Sequence, residues 1–277
     1  MVKEKQVKKV VREGYARIVK GNGCGCSPVS SCCGSADSAR DISKGIGYSD
    51  AELEAVPEGA NLGLGCGNPV ALASLKEGET VLDLGSGAGF DCFLAANRVG
   101  STGRVIGVDM TPEMIEKARE NAELSGYRNV EFRLGEIEHL PVDANSVDVV
   151  ISNCVINLAP DKRRAFGEAF QVLRPGGRLM VSDIVLLKEL PATVRNSVAA
   201  YVGCLAGAMM RGDYLDAIRA AGFKEISVAD ELPFPIDYMA NDPALKAIIA
   251  DSSVPSETLA EFAGSVVSIK IRAVKPV

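Results

Sequence analysis

The sequence lacks a long hydrophobic run, an excess of positive charge and, with one exception, histidine. Its most apolar stretch, residues 198 to 210, is shorter than the ~20 residues that span a bilayer, so no membrane span is expected. A formal net charge of -6 argues against a nucleic-acid surface, because such a surface usually carries a basic patch. We therefore expect a small-molecule substrate, and neither a membrane nor a nucleic acid as partner.

The amino terminus also lacks the apolar core of a secretory signal peptide, since charged residues interrupt positions 1 to 10. We expect a cytoplasmic protein. In a reducing compartment, the eight cysteines are expected to have binding, catalytic or redox roles rather than to form a disulfide framework. With 277 residues, 47% of them apolar, the chain is long enough for a full core and one or two domains.

The most informative segment runs from Val81 to Phe90, where an apolar strand is followed by glycines at positions 85, 87 and 89. A second apolar strand ends at Asp109. In a doubly wound sheet, such a glycine turn lets the backbone approach a ligand closely, and an acid at the next strand tip can accept hydrogen bonds from a ribose. The segment predicts a nucleotide-type cofactor site.

The glycine spacing indicates which cofactor. Gly85, Gly87 and Gly89 follow G-x-G-x-G, whereas a dinucleotide fingerprint follows G-x-G-x-x-G. Asp83, two residues before the first glycine, would repel a phosphate but suit an ammonium group. The pattern resembles class I S-adenosylmethionine methyltransferases, which implies that Asp83 and Gly85 lie near the methionine end of the cofactor and Asp109 on its ribose. A plain Rossmann turn is the alternative.

Alternating strand and helix patterns indicate a parallel sheet. Strands are predicted at 80–84, 104–108, 130–133, 147–151 and 178–184, with two later ones at 224–228 and 266–274, the final one antiparallel at the edge. Arg174-Pro-Gly-Gly177 predicts a sharp turn into the fifth strand, and a similar turn occurs in class I methyltransferases. We expect an α/β fold of the Rossmann-like class I methyltransferase type, with a seven-stranded mostly parallel sheet, helices on both faces and a C-terminal cap region.

Three parts of the chain are expected. Residues 1–45 hold an amphipathic helix that ends near Gly21 and a mobile cysteine-rich loop from Asn22 to Ser38. Residues 46–185 form the cofactor-binding Rossmann-like domain, with a short helix capped at Ser49 or Asp50 near its start. Residues 186–277 complete the sheet, with an insertion at 232–263 over the site.

The cysteines differ in their positions relative to this sheet. Cys154 stands at the carboxyl end of the fourth strand, where open α/β sheets present substrate groups. Cys66 lies between two glycines, which permit unusual backbone geometry; an incidental cysteine in a tight turn is the alternative. Cys204 and Cys92 are more typical of buried core thiols. Several thiols around a cofactor pocket favour a soft, thiol-seeking substrate.

Three cysteine-containing stretches narrow the resemblance: Asn61-Leu-Gly-Leu-Gly-Cys-Gly-Asn-Pro69, Ser152-Asn-Cys-Val-Ile-Asn157 and Tyr201-Val-Gly-Cys204. Together with the cofactor motif, they resemble the arsenite S-adenosylmethionine methyltransferases over roughly residues 45 to 210. The resemblance implies an arsenite methyltransferase that transfers a methyl group from S-adenosylmethionine to thiol-bound trivalent arsenic, with arsenite or methylarsenite as substrate and arsenic detoxification as the role.

By that resemblance, Cys154 and Cys204 hold trivalent arsenic, Cys66 is a third ligand, and residues 186–277 form an arsenic-binding region. A further family cysteine, for which Cys33 or Cys32 is our choice, lies upstream and exchanges a disulfide with Cys66. Glu136, Ile137 and Glu138 are expected near the adenine. The remaining cofactor contacts that we expect are Ser86, Gly87, Gly89, Met110 and Asn153.

Arsenic bound by thiolates keeps a lone pair that can attack the sulfonium methyl group, so no general base is required. This agrees with a chain whose only histidine, His139, is interpreted as a bystander. Electrons must return to arsenic after each transfer, and a cysteine pair can supply them before a thioredoxin or glutathione type of thiol system reduces it. No metal cofactor is expected.

Two other functions stay open from the residues: a methyltransferase for an organic acceptor of the quinone or sterol type, and a non-enzymatic thiol-rich protein that sequesters arsenic or metal. The four cysteines at positions 24, 26, 32 and 33 have their own alternative, a structural zinc site, although their spacing departs from Cys-x-x-Cys knuckles.

Overall fold

The computed structural model describes residues 2–20, 36–69, 74–189, 207–234 and 264–277. The predictions made for the insertion beyond residue 234 lie outside this range, as do those made for Cys24, Cys26, Cys32, Cys33 and Cys204.

A single sheet of eight strands organises the described chain. Its strands are β1 (Thr80–Leu84), β2 (Arg104–Asp109), β3 (Val130–Leu134), β4 (Val147–Asn153), β5 (Leu173–Leu186), β6 (Met209–Met210), β7 (Lys224–Pro233) and β8 (Val266–Val274). Their order is β3-β2-β1-β4-β5-β8-β7, with β6 beside the end of β5. The pairs from β3 to β5 are parallel, whereas β8 is antiparallel to both of its neighbours.

The helices are α1 (Val2–Val19), α2 (Ala36–Gly45), α3 (Asp50–Glu54), α4 (Phe90–Val99), α5 (Pro112–Leu124), α6 (Lys162–Val172) and α7 (Arg211–Ala220), with a 3₁₀ turn at Ile156–Leu158. Ser49 caps α3, and Glu52 completes a capping box by accepting from the Ser49 amide. The predicted cap is thus confirmed at Ser49. The loop prediction for residues 22–38 was wrong at its end, because residues 36–38 form the first turn of α2.

The sheet lies between two layers of helices. One side packs Phe166 of α6 and Tyr214 of α7 against the strands, and the other packs Phe93 of α4 and Ile115 of α5. Strand β1 is buried along nearly its whole length, which explains why its sequence reads as an apolar run rather than an alternating one.

The final strand is not at the edge, which corrects the prediction. Strand β8 pairs with β5 from Leu186–Val266 through Arg178–Val274, and β7 pairs along its other side. Most β8 side chains are buried, whereas most of β7 is exposed and carries charges such as Glu225 and Glu231. Apolar side chains on both faces suit an inner strand, and charged residues protect an edge from unwanted pairing.

The predicted turn at 174–177 lies inside β5. Pairing with β4 passes from Val147–Leu173 directly to Val149–Arg178, so the four residues between leave the ladder. Gly176 has φ +79°, a value that favours glycine. No helix in the described ranges has the length and hydropathy to cross a membrane.

Candidate active site

A pocket opens at the carboxyl ends of β1 and β4, where the strand order reverses direction. Open α/β sheets bind ligands at such a point because the loops that leave adjacent strands diverge there. Many of the cofactor contacts predicted from the sequence line it: Asp83, Gly85, Ser86, Gly87, Asp109, Met110, Ile137, Glu138 and Asn153. Cys154 lines the same pocket.

The glycine turn after β1 is held against β2. The amides of Gly85 and Ser86 both donate to Val108 O, at 2.8 and 3.0 Å. Gly85 has φ +70°, and a Cβ there would lie 2.4 Å from Val155 Cγ2. Gly89 has φ +97° and caps α4, so it shapes the turn and is not among the residues that line the pocket in the described structure.

Asp109 connects the glycine turn to α5. Its carboxylate accepts from the Gly87 amide at 3.0 Å and from the Thr111 amide at 2.8 Å. Burial raises the pKa of Asp109, and these amides oppose that shift. Because each carboxylate oxygen has two lone pairs, Asp109 retains capacity to accept from a ribose diol.

Two buried acids, Asp83 and Asp91, also line the pocket. Cys92 Sγ donates to Asp83 Oδ2 at 3.2 Å, and Tyr48 donates to Asp91 Oδ1 at 2.6 Å. Burial, reinforced by Asp91, raises the pKa of Asp83, and burial raises the pKa of Asp91 to about 6. Within the described chain their hydrogen-bond partners are uncharged. A cationic ligand would therefore be stabilised here.

The donor and acceptor set fits S-adenosylmethionine. Asp83 and Asp91 are buried acids in the lining that could neutralise an ammonium group, and Asp109 could accept from a ribose diol. In addition, the buried Ser86 Oγ has no hydrogen-bond partner among the described residues, so a polar group of a ligand can satisfy it.

Helix α1 covers part of the pocket. Lys8 Nζ lies 2.8 Å from Glu136 Oε2 and 3.0 Å from Glu138 Oε1, and Val11 of the same helix is buried. Lys8, Val11 and Tyr15 join the lining, which the sequence did not indicate. Glu136 pairs with Lys8 of α1 and is not among the described lining residues, so its place near the adenine stays a prediction.

The thiol site is built from two loops that the sheet brings together. Cys66 and Cys154 are 88 positions apart in sequence, yet their Cα atoms are 5.8 Å apart and their sulfurs form a disulfide. The resemblance had implied that Cys66 exchanges a disulfide with an upstream cysteine. Cys92, expected to be a packing residue, is fully buried and also donates to Asp83.

Asp183 was missed by the sequence reasoning. Its carboxylate and the sulfurs of Cys66 and Cys154 all lie within 4.8 Å of one another. Asn157 Nδ2, the Ile184 amide and the Tyr214 hydroxyl donate to this carboxylate at 2.8, 2.9 and 3.0 Å. Burial raises the pKa of Asp183 to about 7. The available signal was an acid within the mostly apolar second half of β5, and Asp91, early in the mostly apolar helix α4, was missed in the same way.

His139 contacts Arg164 of α6 through Nε2. Its backbone forms an isolated bridge with Glu136. The imidazole thus contacts the guanidinium of Arg164. That His139 is a bystander stays a prediction.

The strand order and the glycine-turn pocket define a class I S-adenosylmethionine methyltransferase fold. A family model described as "Methyltransferase domain" matches residues 75–222. The structure is similar to the arsenic(III) S-adenosylmethionine methyltransferase from Chlamydomonas reinhardtii, with a TM-score of 0.63 and 33% identity over 86% of this chain and 73% of that one.

Curated relatives with similar sequences are also arsenite methyltransferases. The chain is 51% identical to an arsenite methyltransferase of Halobacterium salinarum over 81% of its length, and 39% identical to one of Aquipseudomonas alcaligenes over 72%. It belongs to the arsenic(III) S-adenosylmethionine methyltransferase family. The matches span 59% and 58% of those two relatives, so the chain matches little more than half of their length.

Proposed function

We propose that this protein transfers the methyl group of S-adenosylmethionine to trivalent arsenic held by cysteine thiolates, with arsenite or methylarsenite as substrate. One observation carries the proposal: the sulfurs of Cys66 and Cys154 meet at the carboxyl edge of the sheet, and Cys154 also lines the cofactor pocket. A soft thiolate pair beside a methyl-donor pocket suits a soft, thiol-seeking acceptor.

Bound S-adenosylmethionine supplies an electrophilic methyl group on a sulfonium. In the proposed site, Asp83 faces its ammonium group, Asp109 accepts from its ribose, and the turn formed by Gly85, Ser86, Gly87 and Gly89 lets the backbone approach closely. Met110, Ile137 and Glu138 lie on the adenine side, and Glu136 contributes by holding α1 through Lys8. The lining is consistent with these assignments.

Cysteine sulfurs bind arsenic by replacing its hydroxyl groups, and each exchange releases one water as an S–H and an As–OH become an S–As bond. Cys154, Cys66 and Cys204 are the proposed ligands. The arsenic lone pair then attacks the methyl group, so the transfer requires neither a general base nor a metal cofactor. The protein contributes chiefly by positioning, which is worth several kcal/mol and up to about 7 to 11 kcal/mol in ideal models.

Transfer raises arsenic formally to the pentavalent state, and two electrons must return to it. Two cysteine thiols release two electrons and two protons when they form a disulfide. The Cys66–Cys154 disulfide supports this part of the proposal, since it places an oxidisable pair beside the pocket. Cys33 or Cys32 would relay electrons from a thioredoxin or glutathione type of reductant in the cytoplasm.

Arsenic speciation tests the function directly. Reduced protein is incubated with arsenite, S-adenosylmethionine and thiols, and the products are separated by chromatography with elemental detection. We expect methylarsenic species from the natural chain and none from Cys154→Ser, with cofactor affinity almost unchanged in the variant. Normal turnover by Cys154→Ser would refute the thiol mechanism. Absence of product from a chain that binds the cofactor would favour an organic methyl acceptor, and absence of both would favour sequestration.

A further inference from the structure

Asn153, the last residue of β4, holds the loop that carries Cys66. The Cys66 amide donates to Asn153 Oδ1 at 3.0 Å, and Asn153 Nδ2 donates to Gly67 O at 2.8 Å. One carboxamide thus binds two consecutive residues of the loop, in the way that a neighbouring strand would. These two hydrogen bonds fix the position of the loop against the sheet, although the loop is not itself a strand.

The same carboxamide is also bound by two buried side chains, Tyr48 and Asp91. Asn153 Nδ2 also donates to the Tyr48 hydroxyl at 2.9 Å and to Asp91 Oδ2 at 3.1 Å, while Tyr48 donates to Asp91 Oδ1 at 2.6 Å. The two hydrogens of Nδ2 serve three acceptors, so two of these acceptors share one hydrogen. The carboxylate and the Gly67 carbonyl only accept, and the Cys66 amide only donates, so just one orientation of the carboxamide makes these bonds. Tyr48 and Asp91 therefore select the orientation that receives Cys66.

Close packing leaves the loop little freedom. A Cβ on Gly65 would lie 2.7 Å from Asn153 Nδ2, so this glycine rests directly on the carboxamide. On the far side, Ser268 Oγ of β8 donates to Cys66 O at 2.7 Å. Both backbone polar groups of Cys66 are thus bound by side chains, one from Asn153 and one from Ser268.

Asn153 connects the two thiols because Cys154 is its covalent neighbour. Cys154 has φ +57°, a conformation uncommon for a residue with a side chain, and its amide donates to Ser182 O at 2.9 Å. The end of β4 therefore positions both thiols. It positions Cys154 through the backbone, and it positions Cys66 through the side chain of Asn153.

We propose that Asn153, oriented by Tyr48 and Asp91, is a positioning residue that sets the effective concentration of the Cys66 thiol at Cys154. The proposal rests on the proposed function for its catalytic meaning, since thiolates must converge to bind arsenic and to return electrons to it. It differs from the sequence-based assignment of Asn153 as a cofactor contact, because its carboxamide is engaged by the thiol loop.

The first test needs neither arsenic nor cofactor. The full chain is equilibrated in mixtures of reduced and oxidised dithiothreitol, remaining thiols are alkylated, and the Cys66–Cys154 cross-linked peptide is quantified by mass spectrometry. Asn153→Ala loses both loop hydrogen bonds, so the effective concentration should fall roughly tenfold or more. Tyr48→Phe, which keeps the carboxamide but loses its orienting hydroxyl, should show a smaller loss in the same direction.

A matched control exists at the opposite edge of the sheet. Asn129 Nδ2 also bridges two backbone carbonyls, Ala96 O at 3.2 Å and Gly100 O at 2.9 Å, just before β3. Asn129→Ala should lower thermal stability but leave the Cys66–Cys154 effective concentration as in the natural chain. A loss in this control equal to that in Asn153→Ala would show a general effect of stability and overturn the proposal.

Cofactor affinity separates the two roles of Asn153. Positioning predicts that S-adenosylhomocysteine binds folded Asn153→Ala as it binds the natural chain, while kcat for methylarsenic formation falls with little change in KM for S-adenosylmethionine. Weaker cofactor binding with an unchanged effective concentration would overturn the positioning role.

If Asn153→Ala does not fold, Tyr48→Phe tests the proposal. An effective concentration in Tyr48→Phe equal to that of the natural chain rejects the proposal. A natural chain that makes no methylarsenic, but whose variants lose effective concentration, would refute the proposed function and leave the positioning role intact.

Discussion

Gly67 lies against Ser182 so closely that a Cβ added at position 67 would come within 1.8 Å of Ser182 Oγ and 2.9 Å of its Cβ. The loop that carries Cys66 therefore rests on β5 with no room for a side chain. Because the same loop is bound by Asn153, a displacement at Gly67 moves Cys66 away from the position where it meets Cys154.

Gly67→Ala should separate the thiol site from the cofactor site. We expect methylarsenic formation to fall by roughly a hundredfold, since a misplacement of about 1 Å can cost that much, while cofactor affinity stays close to that of the natural chain. Product chromatography and calorimetry with S-adenosylhomocysteine measure the two effects. Gly212→Ala, in α7 with nothing within 4 Å of its added Cβ, is the control and should leave both unchanged. Full turnover by Gly67→Ala would contradict the close fit.

Asp83→Asn should weaken the cofactor site specifically. Removing the buried charge leaves the cationic end of the cofactor with a neutral partner, and charge-assisted hydrogen bonds of this kind contribute about 1.5 to 3 kcal/mol, so the dissociation constant should rise roughly tenfold to a hundredfold. Calorimetry measures it. Asp148→Asn is the control. Asp148 lies at the start of β4, away from the strand ends that form the pocket, and it accepts from the Thr80 amide at 2.8 Å. Equal affinities in the two variants would argue against an ammonium group at Asp83.

Lys8→Gln should loosen helix α1 from the pocket. Glu138 is buried, and losing the ammonium group leaves it and Glu136 with a weaker partner. We expect severalfold weaker cofactor binding, with a cost of about 1 to 3 kcal/mol for an unsatisfied buried group. Lys9→Gln provides the comparison, since the Lys9 side chain is 74% exposed and pairs only loosely with Glu13 at 3.8 Å. If cofactor titrations of the two variants coincide, α1 does not contribute to binding through this pair.

Asp183→Asn should flatten the dependence of stability on pH. In the folded protein the pKa of Asp183 is about 7, raised by burial, whereas in the unfolded chain it is near the ordinary 3.8. Between these values the folded state binds the extra proton, so raising the pH from about 4 to 7 lowers the free energy of unfolding. The contribution is on the order of a few kcal/mol. Urea unfolding across this range measures it, and an unchanged slope in the variant would show that Asp183 is already ionised at low pH.

Much of the fold and of the cofactor site was predictable because it depends on local rules. Apolar runs bounded by turns predicted the strands β1 to β5. The three glycines predicted a tight turn, because glycine adopts the positive φ seen at Gly85, Gly87 and Gly89 without strain. The acids at Asp83 and Asp109 followed from their places at the ends of strands.

Other features escaped because they depend on residues far away in the chain. The alternation in 266–274 indicates a strand but does not identify its partners, and β8 proved to be internal. In the sequence, nothing distinguishes Asp183 from the other acids. Only the fold buries it beside the sulfurs of Cys66 and Cys154. The junction of Cys66 with Cys154 is likewise a product of loops that meet over neighbouring strands.

By itself, the sequence determined the class of fold, the kind of cofactor site and the cysteine at the end of the fourth strand, because backbone conformation and strand periodicity act over a few residues. Only the tertiary structure decided which thiols meet, which carboxylates lie beside them and which side chain holds the Cys66 loop. Those contacts are set by strand order and by packing between residues as much as 202 positions apart, such as Cys66 and Ser268, and a linear pattern does not encode their distances.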